Sequence, residues 1–173
     1  MSDREVTLSR LRSQLDPKAA REKAGSADVS ALGWDEIGFL CEGLAFAARP
    51  LRQATQSVTE RYDLGPRGAW IINVISGGVA YPLDLARVFK VGRSLITAEL
   101  ARLTEAGLIT SRPGEADRRR VELALTPEGE AASAQICDEM RAAILRNLAG
   151  YSADEVLHFA EMLRTVRGDG ADC

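Results

Sequence analysis

A chain of 173 residues is long enough to bury a core without disulfides and short enough to be one domain, or one domain with an arm. Hydrophobic residues make up 46% but aromatics only 5%, and recurrent Ala, Leu and Arg favour helix. No window approaches the roughly 18 consecutive apolar residues of a membrane span, so no membrane partner is expected. The charged start (Asp3, Arg4, Glu5, Arg10, Arg12) does not read as a signal peptide. Cys41, Cys137 and Cys173 are odd in number and far apart, which fits neither a disulfide framework nor a zinc pattern. A reducing cytoplasm is the expected compartment, and no metal or other cofactor is expected.

The net charge of −3 is unevenly spread. From Arg87 to Arg120 the chain carries a net +4, which leaves −7 for the remainder. A locally basic segment in an acidic protein suits a confined phosphate-binding surface. By charge alone, a solvated face would look the same.

In chain order, residues 1–33 read as an arm. Leu8, Leu11 and Leu15 keep helical spacing, Pro17 interrupts it, and Gly25-Ser26 with Gly33 read as linker. A long helix is predicted from about Asp35 to Tyr62, kinked at Pro50. Leu64-Gly65-Pro66 breaks it, and an apolar helix from Pro66 to Ile75, containing Trp70-Ile71-Ile72, should be central in the core. A short helix from Tyr81-Pro82 to Lys90, a tight Val91-Gly92 turn and a helix from Arg93 to Ala106 follow, the last closed by Gly107. Leu108 to Arg112 and Val121 to Leu125 read as strands around a loop rich in arginine. Thr126-Pro127 should cap a long helix to about Leu148, and Ser152 with Glu155 a last helix. The fold class is therefore mainly α with a small β-hairpin.

Helix, tight turn, helix, then a hairpin with a basic tip is the arrangement of a winged helix-turn-helix. Its second helix would enter the major groove with Arg93, Ser94 and Thr97 at the leading end. Arg93 can bond guanine or a phosphate, and Thr97 can donate to a base or touch a thymine methyl. Arg118, Arg119 and Arg120 at the hairpin tip have the length and charge for an A·T-rich minor groove. Spacing alone also admits a helical hairpin and a charged turn with no partner.

The run Leu103, Gly107-Leu108-Ile109, Asp117-Arg118-Arg119 and Leu123-Ala124-Leu125-Thr126-Pro127-Glu128-Gly129 resembles the MarR family of winged-helix regulators. The order of elements extends the likeness from about Trp34 to Arg167. The resemblance implies a homodimer built from helices at about 34–62 and 127–167, with the winged helix-turn-helix at about 66–126. Residues 1–33 remain as an extension and 168–173 as a tail. It further implies a palindromic operator in double-stranded DNA, a minor-groove role for Arg119 and an orienting role for Asp117. Ala98 departs from a frequent arginine of the family.

The family's small-molecule effectors imply control by an aromatic acid or its thioester, held by Arg49 or Arg52 and stacked on Trp70. Core packing for Trp70 and a surface place for the arginines are the plainer readings. By likeness to the peroxide-sensing branch, Cys41 could be a reactive thiol and Cys137 its resolving partner, although Thr55 and Pro66 stand where that branch has tyrosines. His158, the only histidine, reads as a surface or capping residue. One histidine, no metal-ligand cluster and no phosphate loop after a strand argue against an enzyme. A winged helix that binds protein instead of DNA is the remaining alternative.

Overall fold

The computed structural model describes residues 28–65, 67–79, 81–114 and 121–168. The expected arm helix at Thr7–Lys23, Pro66, the hairpin tip with Asp117, Arg118, Arg119 and Arg120, and Cys173 lie outside the described residues. The chain divides into two compact units between Arg49 and Pro50.

In the first unit, Asp28 caps a 3-10 turn at Val29–Ala31, its carboxylate accepting from the Ser30 N–H at 2.9 Å and from the Ser30 hydroxyl at 2.7 Å. The Ser30 backbone bond, then its hydroxyl, hold the Asp28 carboxyl below the usual carboxylate range. Helix α1 spans Trp34–Phe46. The Trp34 ring lies over Gly38, where a Cβ would stand 3.3 Å from it. Trp34, Leu40 and Phe46 are exposed, and the Arg49 guanidinium sits 5.3 Å from the centre of the Phe46 ring.

The expected single helix to Tyr62 is instead three segments, with α2 at Ala48–Ala54 and α3 at Gln56–Arg61. The first interruption falls at Ala47, a turn before Pro50. Proline has no N–H for the carbonyl of Phe46, and its ring crowds that carbonyl, so the disturbance appears upstream of the proline itself. The second falls at buried Thr55, whose hydroxyl turns back to the Arg52 carbonyl at 3.2 Å.

The second unit has one core. Helix α4 (Gly68–Ser76) supplies Ala69, Ile71, Ile72 and Ile75, packed with Val58, Leu85, Ile96, Leu103, Leu108 and Ile136. Helices α5 (Pro82–Phe89) and α6 (Arg93–Glu105) pack together, and α4 packs on α7 (Pro127–Asn147). Ser57 and Arg61 tie α3 to Glu139 and Gln135 of α7 at 2.8 and 3.2 Å. Tyr62 donates to Glu128, a bond that raises the phenol pKa. Helix α8 (Ala153–Val166) starts at the expected Ser152–Glu155 capping box.

Strands β1 (Ile109–Pro113) and β2 (Val121–Leu125) pair antiparallel, from Ile109↔Leu125 to Pro113↔Val121. The first strand begins one residue later than its hydrophobic run suggests. Leu108 belongs to the helix end: its N–H bonds the Leu103 carbonyl at 3.0 Å across Gly107, which has φ +71°. Its carbonyl accepts from Thr126 N–H at 3.0 Å. The Thr126 hydroxyl accepts from Gly129 N–H at 3.0 Å and donates to the Gly107 carbonyl at 2.7 Å. A Cβ on Gly129 would fall 1.9 Å from the Leu108 carbonyl oxygen. The Thr-x-x-Gly pattern is thus the joint that fixes both ends of the hairpin to α6 and α7.

Gly129→Ala must therefore shift one element against another. It should lower unfolding free energy by about 1–3 kcal/mol, and Thr126→Ala should cost about 0.5–2 kcal/mol. Urea unfolding measures both, and a Gly129→Ala midpoint equal to the parent's would refute this account of the joint.

Candidate nucleic-acid interface

The turn between α5 and α6 is built by Lys90, in the left-handed region at φ 51°, and by Gly92, whose backbone caps α6. Ile96, not Leu95, is the fully buried residue of the first turns of α6. With Ile96 inward, Arg93, Ser94 and Thr97 are exposed. The first turn of α6 contains no acidic residue, so its positive end is offset by no carboxylate of its own.

The basic segment is less uniformly available than its residue count suggests. Arg87 is 3.1 Å from Asp84. Arg112 Nε lies 3.5 Å from Glu122 Oε2 across the strand pair, a charge contact without a hydrogen bond at that buried oxygen. Lys90 and Arg93 make no ion pair with a described residue. Both are open to a polyanion at the start of α6.

The Thr97 hydroxyl donates to the Arg93 carbonyl at 3.0 Å. Donation to a base, one of the expected roles, would break that bond, whereas accepting or offering the methyl would not. Arg93 and Thr97 share a hollow of about 350 Å³ with Tyr81, Pro82 and Leu83 at the start of α5 and with Val121 of β2. Leu83 and Val121 had no role in the sequence reading. Nothing along the chain marks them, because the hollow joins three separate segments.

The other expected site residues are scattered. Trp70 is 37% exposed on α4, so it is not a core residue. Arg52 is exposed at the end of α2, and Arg49 is engaged with Phe46. A second hollow of about 350 Å³ lies beside Pro50, Gln53 and Ala54 and is walled by Ala143, Arg146 and Asn147, with Trp70 and Arg52 outside its lining. Arg146 was not singled out by the sequence reading, since a lone arginine late in a helix has an ordinary surface role. Cys41 and Cys137 are free, exposed thiols. His158 is exposed, 3.6 Å from Glu161.

An apolar side of α8 is also left open. Leu148, Tyr151, Val156, Phe159 and Met162 line a hollow of about 360 Å³ with Glu155 and His158. Among the described residues no helix is long and apolar enough to cross a membrane.

Two helices joined by a tight turn, followed by a two-stranded hairpin that returns to the core, define a winged helix-turn-helix. Residues 64–129 match the family of winged helix DNA-binding domains. The chain is 29% identical over 118 residues to the HTH-type transcriptional regulator PecS of Dickeya dadantii, covering 66% of this chain and 71% of PecS. The fold is that of the MarR family transcription regulator SP03579 (TM-score 0.66, 22% identity, 80% of this chain and 92% of that one). It is equally that of a mutant MarR from E. coli complexed with operator DNA (TM-score 0.61, 21% identity, 81% and 99%). Residues 64–129 are therefore similar to winged helix DNA-binding domains, and the chain as a whole has the fold seen in MarR-family regulators.

Arg93→Ala should weaken binding to duplex DNA by about 1–3 kcal/mol and lower the slope of log affinity against log salt by about 1. Fluorescence anisotropy over a salt series measures both, and an unchanged slope would remove Arg93 from the phosphate contacts.

Proposed function

We propose that the protein is a repressor that binds a palindromic operator as a homodimer in the cytoplasm and is released by a small anionic aromatic effector. The observation that carries the DNA contact is the shared hollow, which sets Arg93 and Thr97 of α6 beside Val121 of the hairpin. Ser94 stands on the same exposed turn. In this reading α6 enters the major groove. Arg119, oriented by Asp117, enters the adjacent minor groove, and Arg118 and Arg120 neutralise phosphates.

The dimer is supported by the apolar sides of α1 and α8. Trp34 is 75% and Leu157 66% exposed, with Phe159, Met162 and Val166 also open. Open apolar surface of this kind marks an interaction face, which a second copy would cover. Sedimentation at micromolar concentration should show a dimer; a monomer would remove the basis for a palindromic site.

The effector reading comes from the family likeness, in which Trp70, half-open here, would take the ring and Arg49 or exposed Arg52 the acid group. Aromatic surface would supply affinity and a guanidinium the orientation. Release requires the ligand to favour the DNA-free arrangement, because equal affinity for both shifts nothing. The test is DNA release by aromatic acids and their thioesters. Arg119→Ala should lose about 1–3 kcal/mol of operator affinity while folding normally. Arg52→Ala should lose the response and keep the operator. A response unchanged in both Arg49→Ala and Arg52→Ala would sink the effector assignment.

The exposed thiols Cys41 and Cys137 favour a second reading, control by peroxide through Cys41. Release by organic hydroperoxide that is lost in Cys41→Ser would select it. A protein that retains no duplex at low salt would leave the protein-binding winged helix instead.

A further inference from the structure

The hollow between α6 and the hairpin has one feature that base reading does not require. Two of its walls are apolar and open to solvent: Leu83 is 37% and Val121 51% exposed. Val121 pairs with Pro113 at the end of the described ladder nearest the tip, so it belongs to the hairpin and not to the helix that would read bases. Leu83 is in the first turn of α5, across the hollow from it.

A duplex engaged by a helix in its major groove and a hairpin in its adjacent minor groove has one sugar-phosphate strand between the two. That strand must cross the space between α6 and β2. The charged part of that space is Arg93, whose guanidinium suits phosphate oxygens. The apolar part suits the carbon face of a deoxyribose. A ribose would set its 2′-hydroxyl against Leu83 or Val121, where it loses water and gains no partner.

We propose that this hollow seats the DNA strand that separates the two grooves, with Leu83, Val121 and the Thr97 methyl packing on deoxyribose and Arg93 holding a flanking phosphate. The proposal rests on the DNA-binding reading above and adds a sequence-independent, uncharged contribution to it. Leu83 and Val121 are thereby positioning residues: they fix how deeply α6 sits in its groove without reading a base.

The test compares the full-length parent with Leu83→Ala, Val121→Ala, Val121→Thr and Arg93→Ala. Each is titrated against a labelled duplex selected by the parent from random sequence and against an unrelated duplex, over a salt series. Thermal unfolding of each variant verifies the fold, and exposed Val121 keeps the test valid if Leu83→Ala unfolds. Both Val121 variants and Leu83→Ala should lose roughly three- to tenfold in affinity. The loss should be equal on the two duplexes, with the parent's salt slope unchanged, since no charge is removed. Only Arg93→Ala should flatten the slope. A loss confined to the selected duplex would assign the two side chains to thymine methyls and overturn the proposal. Parent-like affinity in folded variants would leave the hollow to another occupant and overturn it too, while the Arg93→Ala slope would still stand for DNA binding. A parent that binds neither duplex at low salt would overturn both readings.

Discussion

The carbonyl of Leu108 is met from one side by the Thr126 N–H and from the other by the first turn of α7, so close that only a glycine fits at position 129. Three elements meet at this point. Helix α6 ends three residues before Leu108, β1 begins one residue after it, and α7 starts against it. The Thr126 hydroxyl closes the joint by accepting from α7 and donating to the end of α6. The angle at which the hairpin leaves the core is therefore fixed by backbone contact, which cannot repack as side chains do. In the proposed DNA complex a reading helix and a wing in neighbouring grooves would need such a fixed angle, because both would rest on one duplex.

From this joint the electrostatics of the surface follow. Holding Ile96 in the core turns Arg93, Ser94 and Thr97 outward together. Arg87 and Arg112 have acidic neighbours in Asp84 and Glu122, whereas Lys90 and Arg93, beside the start of α6, make no ion pair with a described residue. An acidic protein can hold DNA by such a patch because salt screens the distant negative charges more than the near positive ones.

The helical ends and the winged part carry different kinds of unfinished surface. The helical ends show open apolar side chains, notably Trp34, Phe46 and the outer side of α8. The winged part shows open polar and apolar groups side by side in one hollow. Apolar surface alone calls for another protein surface, whereas cations mixed with carbon faces match the alternation of phosphate and sugar along a strand.

What the sequence determined by itself was whatever local chemistry governs. Gly107, the Thr126 cap with Pro127 and the Ser152–Glu155 box mark element ends because each acts within a few residues. The helix-turn-helix, the hairpin and the family likeness followed from these and from apolar spacing. The tertiary structure decided what depends on neighbours distant in the chain. It placed the first break of the long helix at Ala47 and the second at Thr55, gave Leu108 to a cap and not to the strand, and turned Trp70 outward. It engaged Arg87 and Arg112 with acids, and it brought Leu83 and Val121 to the wall that Arg93 and Thr97 share. Periodicity gives each residue a face on its own element, but which face meets which neighbour is fixed only when the elements pack.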